Sequence, residues 1–374
     1  MQPARFALNR TLAGLVALGL LFAAFAGQAA ELAAPDDSAR FIAGIAPSAD
    51  SPLTPLTKTA AWQQHARAMN VSFESLDKRQ LSKIRAWSRA NLKSPKPVLF
   101  YMFSGPDFLY ANAFFPSAST YVLAGLEPAG DIPDLTKLSP AATTHALNGI
   151  RYSLRSVLST SFFITSHMGH DLGASRLTGT LPILVTFLAR TGHTIKEVTR
   201  VTLDEHGEVM TSAANDGLKW DRGVKIVFSA ADGAPRTLYY FRTDLTDKKF
   251  KGGPFSQFCE KLNEGDGFVK SASYALHGAG FSQVRKFLLD HVATMVQDDT
   301  GVPIGLYDTS KWQLRPFGHY VRPIPVFARM FQPKMQALFV AGHTSAIDFG
   351  IGYRSRGGRS GLLVATRRNE ASKQ

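Results

Sequence analysis

Six consecutive apolar residues at 98–103, VLFYMF, run into the turn Ser104-Gly105-Pro106-Asp107. A run this short, with no polar alternation and a Gly-Pro stop, reads as a buried strand. FLYANAFFP behind it reads as a short helix and TYVLAGLEPAG as a second strand. Strands without a water-facing side need helices packed over them, so this β-α-β pattern points to a mixed α/β fold.

A second unit of the same kind comes later. SASYALHG reads as a strand over 273–277, FSQVRKFLLDHV as a helix, and ATMVQDD as a further strand ending at Gly301-Val302-Pro303. Laying Ser104 on Gly278 also lays Thr120 on Thr294, with about sixteen residues between the landmarks in each unit. A duplication and the ordinary likeness of short β-α-β units both remain open. On either account, 98–103 and 273–277 are expected as parallel strands of one sheet, so that the two units share it.

Elsewhere the pattern changes. The stretch 33–57 is rich in Pro, Ala, Ser and Asp and reads as an extended leader. Helical spacing over 62–90 predicts one or two helices before the breaker Pro95-Lys96-Pro97. The segment 146–163 is helical in pattern, and the apolar run 181–191 is helix or strand. From His193 on, alternating β-branched and aromatic residues broken by Gly and Pro turns predict an antiparallel meander. The expected organisation is leader plus N-terminal helices over 31–95, then an α/β body over 96–374. That body divides into a first half at 96–192, the inserted meander at 193–250 and a second half at 251–374.

The first thirty residues have the three zones of a cleavable signal peptide. Arg5 and Arg10 precede an apolar stretch at 12–25, and Ala26-Gly27-Gln28-Ala29-Ala30 offers a cleavage site. That apolar stretch falls short of the roughly 20 residues a spanning helix needs, so no transmembrane helix is expected after cleavage. No cysteine stands at the cleavage point, as a lipoprotein requires, and the two arginines are not adjacent, as twin-arginine export requires. The expectation is a secreted protein, in the bacterial periplasm, with its mature N-terminus near Glu31. The one cysteine, Cys259, excludes an intrachain disulfide and sits on a helix face in FSQFCEKL, where a buried, inert thiol is expected.

Charge narrows the partners. The formal net charge is +13, of which Arg5 and Arg10 supply two. Such a surface favours anions, whether small molecules or envelope components. Nucleic acid is not expected, because an exported protein rarely meets it and the basic residues are dispersed up to the C-terminal end. Plain solvated basicity is the simpler account.

Five constellations are candidates for chemistry, each beside a plainer reading. Ser104 at a strand-to-helix turn is a possible nucleophile, but it lacks the Gly-x-Ser-x-Gly elbow, and a helix capped by Ser104 or Gly105, with Pro106 at its first position and Asp107 facing the positive end of its dipole, explains the same residues. His277-Gly278-Ala279-Gly280 with Arg285 one turn on suits a phosphate or carboxylate at a helix N-terminus, or is a glycine turn. Glu127 and the trio Gln297, Asp298, Asp299 end predicted strands, where α/β sheets place their ligand crevice; Asp298-Asp299-Thr300-Gly301 is also an ordinary turn. His167 and His170 share a helix face, but no Glu completes a zinc motif, and no metal or cofactor is assigned. Arg354, Arg356 and Arg359 on a glycine-rich loop form the densest cationic feature, as an anion receptor or a solvated tip.

At FSGPDFLYANAFFP with TYVLAGLEPAG, and again at MVQDDTGVP with VRPIPVF, the chain resembles a group of uncharacterised secreted bacterial α/β proteins. That resemblance implies export and an α/β body and carries no activity or site residue with it. From the residues, two functions compete, beside a third reading as a structural surface protein with no small ligand. One is binding of a small polar or anionic ligand by the His277 turn and the three loop arginines. The other is hydrolysis of an envelope or extracellular substrate through Ser104 or the Glu127 and Asp298/Asp299 carboxylates, with His167, His170 or His277.

Overall fold

The computed structural model describes residues 32–163, 176–212, 220–230, 232–320, 322–342, 344–353 and 360–368. The 1–30 leader, the His167/His170 pair and Arg354, Arg356 and Arg359 lie outside the described residues. In chain order the strands are β1 (Val98–Tyr101), β2 (Thr120–Gly125), β3 (Thr194–Leu203), β4 (Val209–Thr211) and β5 (Arg222–Ser229). They continue as β6 (Pro235–Arg242), β7 (Gly265–Val269), β8 (Val292–Gln297), β9 (Trp312–Gly318) and β10 (Gly361–Arg367). Ten α-helices are described. The first five are α1 (Pro35–Ile42), α2 (Ala60–Leu76), α3 (Ser82–Asn91), α4 (Phe108–Phe114) and α5 (Pro140–Thr160). The rest are α6 (Leu181–Arg190), α7 (Asp247–Phe250), α8 (Pro254–Lys261), α9 (Ser282–His291) and α10 (Pro333–Ala341).

All ten strands join one mixed sheet in the order β4-β3-β5-β6-β2-β1-β7-β8-β10-β9. The middle five, β6, β2, β1, β7 and β8, run parallel. The meander adds β3, β4 and β5 antiparallel at one edge, and β10 with β9 closes the other edge antiparallel. The fold is α/β, with helices on both faces. Successive residues of β1 show why. Leu99 and Tyr101 enter a core shared with α1 to α6, while Val98, Phe100 and Met102 enter a second core shared with α7 to α10. A strand of period two, dry on both sides, has to be apolar throughout.

The 181–191 run is the helix α6, with Leu181 through Ala189 all buried. It is apolar all round because the N-terminal helices cover the side turned away from the sheet. Cys259 is buried on α8, and burial pushes its thiol well up from the usual range. No described helix is long and apolar enough to cross a membrane.

Two expectations need correction. Within 33–57, Pro35–Ile42 is a helix rather than extended chain, with Pro35 in its first turn beside Asp36 and Asp37, and with Ala39, Phe41 and Ile42 buried. The strand expected at 273–277 is instead part of a 3₁₀ helix, Ala272–His277, and the strand of the second unit is β7, GDGFV. The units do share one sheet, since β7 pairs in parallel with β1, Leu99 opposite Asp266. The overlay of Ser104 on Gly278 fails, because Ser104 lies in the turn that leaves β1 while Gly278 lies a whole 3₁₀ helix beyond β7. Glycine is required at 265, where a Cβ would stand 2.7 Å from the Phe100 ring and 2.6 Å from the Val98 carbonyl oxygen.

Candidate ligand crevice

The connection from β1 goes to β2 on one side, and the connection from β7 goes to β8 on the other. The β1/β7 boundary is therefore a topological switch point, and the two diverging loops leave a crevice at the C-terminal ends of the strands. A cavity of about 360 Å³ lies there. Phe103, Ser104, Gly105 and Asp107 line it from the turn after β1, Leu126 and Glu127 from β2, residues 243–246 from β6, and Lys270 and Ser271 from β7. Phe162, Phe163, Phe281 and Tyr353 add aromatic walls.

At its base is an ion pair taken out of water. Lys270 Nζ stands 2.8 Å from Asp107 Oδ2, and both side chains are only 2% exposed. Asp107 Oδ2 also accepts from the Tyr101 hydroxyl at 2.8 Å, and Oδ1 accepts from the Tyr110 amide at 3.2 Å, which caps α4. Burial pushes the Asp107 carboxyl up, against the pull of the Lys270 ammonium, the Tyr101 hydroxyl and the Tyr110 amide. Burial, with the Asp107 charge behind it, also drives the Tyr101 phenol well up, so Tyr101 acts as a donor. Lys270 donates further to the Ser161 carbonyl, at the C-terminal end of α5, and lies 4.5 Å from the centre of the Tyr110 ring. Each charge thus sits at the helix end of opposite polarity.

The next residue is strained. Ser271 holds φ +65° and ψ −85°, a conformation L residues rarely adopt. Its backbone is fixed by Asp298, whose Oδ2 accepts the Ser271 amide at 3.0 Å while Oδ1 accepts from the Thr300 amide and hydroxyl at 2.9 and 2.5 Å. Burial pushes the Asp298 carboxyl up, opposed by these hydrogen bonds. The Ser271 hydroxyl is buried against the crevice without a hydrogen-bond partner among the described residues.

The structure sorts the residues singled out in the sequence. Asp107, Glu127 and Ser104 come together in the crevice. Ser104 Oγ lies 2.9 Å from the Gly105 carbonyl and 3.2 Å from that of Ala124, and it accepts from the Ala124 amide at 3.1 Å, so it ties the turn to β2. The Glu127 carboxylate lies beside Gly105 and Gly125 and has no hydrogen-bond or ion-pair partner among the described residues. Asp298 stands behind the wall as the support of Ser271, and Asp299 accepts from the Tyr274 hydroxyl at 2.5 Å.

His277, Gly278, Gly280 and Arg285 are not part of the crevice lining. Burial, and then the Arg285 charge, holds the His277 imidazole below its usual value. Arg285 is occupied by the carbonyls of Leu276 and Gly278 at 2.5 and 3.0 Å. The N-terminus of α9 already holds an anion, Asp247, whose Oδ1 accepts the Gln283 amide and whose Oδ2 accepts the Ser282 hydroxyl, both at 2.7 Å. Among the described residues, no three His, Cys, Asp or Glu side chains cluster to hold a metal ion.

Sequence reasoning passed over Tyr101, Asp244, Lys270 and Ser271. One signal was there, since Lys270 is the only charged residue in 267–276, GFVKSASYAL. A lysine inside such a stretch calls for a buried partner.

Comparison with known proteins finds no matching family model, no matching curated protein and no matching solved structure.

Proposed function

We propose that this is an exported binding protein whose crevice takes a small ligand with an aromatic or apolar body and a hydrogen-bond-donating or cationic end. The crevice's location and walls support a ligand site, and its charge supports the class. Asp107, Glu127 and Asp244 face a single ammonium, Lys270, which Asp107 already neutralises. Glu127, open on the crevice side, is the observation that carries this reading. It departs from the anionic ligand expected at the His277 turn, where Asp247 and two carbonyls fill the sites an anion would need. Export rests on the three-zone leader and agrees with the lack of any described membrane-length helix.

A thermal-shift screen of aromatic amines beside matched aromatic acids tests the ligand class. Amines should raise Tm, and Glu127→Gln should weaken the best of them by about tenfold, the loss of one charge-assisted hydrogen bond. Ala275→Trp, which fills the crevice from its wall, should abolish the shift. Acids outperforming amines, or shifts indifferent to both variants, would sink the reading.

One observation favours hydrolysis as a second reading. Ser271, strained at the end of a central parallel strand with an unpartnered hydroxyl, has the setting of a nucleophile. No histidine lines the crevice among the described residues, and the Lys270 ammonium is engaged by Asp107. Labelling of Ser271 by a fluorophosphonate, absent in Ser271→Ala, would move the protein to that class.

A further inference from the structure

A second cavity, of about 470 Å³, opens at the other end of the sheet, where the parallel strands begin. Its lining reverses the crevice's character. Lys93 and Lys96 come from the segment before β1, Arg315 from β9, and Arg367 and Arg368 from the end of β10, against the acids Glu264 and Asp266. Lys96 is paired with Glu264 at 2.7 Å. The other four cations have no acidic partner among the described residues.

The three arginine side chains are held from behind. Arg315 stacks over the Phe317 ring, 5.2 Å from its centre, and makes one contact of 3.3 Å to Asn91 Oδ1. Arg367 lies 5.1 Å from the centre of the Trp312 ring, with Nε on the Val292 carbonyl at 3.0 Å and Nη2 on that of Leu289. Arg368 Nε donates to the Thr309 carbonyl at 3.2 Å. Guanidinium groups ordered this way keep further N–H donors for an incoming oxyanion. On the cavity floor, Asp266 is 1% exposed; its Oδ2 accepts the Lys96 amide at 2.8 Å and its Oδ1 has no hydrogen-bond partner among the described residues. Burial pushes its carboxyl up to about 7, against the Lys96 amide and ammonium.

We infer that this cavity is a binding site for a multivalent oxyanion, a phosphate or polyphosphate group held by Lys93, Arg315, Arg367 and Arg368. This site is independent of the crevice and of the ligand class proposed for it.

The test is calorimetric titration of the full protein with pyrophosphate at low ionic strength, beside co-sedimentation with phosphatidylglycerol-containing vesicles. Saturable one-to-one binding of pyrophosphate is expected. Arg315→Gln and Arg368→Gln should each weaken it by about tenfold or more, and Arg315→Lys should recover little of the loss because lysine lacks the fork. Lys196→Gln, which removes the same charge from an exposed position on β3, should leave it unchanged. Vesicle binding that pyrophosphate displaces assigns the oxyanion to a lipid headgroup; pyrophosphate binding without vesicle binding assigns it to a free anion. Both support the site. No saturable binding in either arm overturns it, and so does equal weakening by Lys196→Gln, which would reduce the effect to net charge.

Discussion

The two ends of the parallel strands treat charge in opposite ways. At the C-terminal ends, Lys270 and Asp107 are 2% exposed, hydrogen-bonded on several sides and enclosed by aromatic rings. At the N-terminal ends, Lys96 and Glu264 are 38% and 45% exposed and form a direct pair that water surrounds. The lesson is that net charge predicts neither site. A chain of +13 places more carboxylates than ammonium groups in the crevice at one end of the strands and gathers five cations around the cavity at the opposite end. Composition describes the average surface, while topology decides which side chains meet.

The largest expected effect breaks the buried pair. Lys270→Met leaves Asp107 uncompensated in a dry site and should cost about 3–5 kcal/mol by urea denaturation. A loss no greater than that of an exposed pair would mean that water reaches these residues, and the contrast between the ends would fail. The double change Lys270→Met with Asp107→Leu should recover much of the loss, since no lone charge is left.

The next effect belongs to the opposite end and to pH. Asp266 holds its proton up to about 7 when folded, against 3.8 ordinarily, so between those values the folded state binds more protons than the unfolded one. Stability contributed there is fully present below the lower value and is lost as pH rises through the upper one, a difference on the order of 4 kcal/mol. Asp266→Asn should therefore gain on the wild type steadily from pH 4 to pH 8. His65 and His193, which burial holds at about 4, give a slope of opposite sign, but both proteins contain them and they cancel in the comparison. A constant difference across the range would show that Asp266 is solvated.

A smaller effect sharpens the view of the crevice. Ser271→Gly removes the penalty of a positive φ and should stabilise by about 1 kcal/mol, while weakening any ligand that bonds the hydroxyl. A variant both less stable and unchanged in binding would make the Ser271 geometry purely structural. The smallest effect is at Lys96→Met, under about 1 kcal/mol and fading with added salt, as expected for an exposed pair.

What the sequence disclosed follows from which force shaped each segment. The run at 98–103 and the alternating strands of the meander were legible because burial alone dictates them. GDGFV was not, because Gly265, Asp266 and Gly267 have poor strand propensity. The two glycines are there for their neighbours, with the Phe100 ring and the Met295 side chain occupying the space a Cβ would take. Pro35–Ile42 was missed because its Pro, Asp and Ser suit a loop as well as a helix start, and Phe41 declares itself only once α6 lies beside it. Asp107 was expected to face the dipole of a helix capped by Ser104 or Gly105, whereas it is itself the cap of α4, and its partner Lys270 lies far along the chain, where no local pattern links the two. Whatever depends on contact between distant segments was out of reach, and the crevice is made of such contacts.

The position of β10 governs the order in which the molecule can be completed. It fills the gap between β8 and β9, and β9 has no other strand neighbour among the described residues. Until the residues from Gly361 onward emerge from the ribosome, β8 has an open edge and β9 has nothing to pair with. A nascent chain can assemble the centre of the sheet but cannot seal it, and open edges invite pairing with other chains. The strand β10 therefore works as a latch, the one piece that ties β9 to the rest of the described sheet.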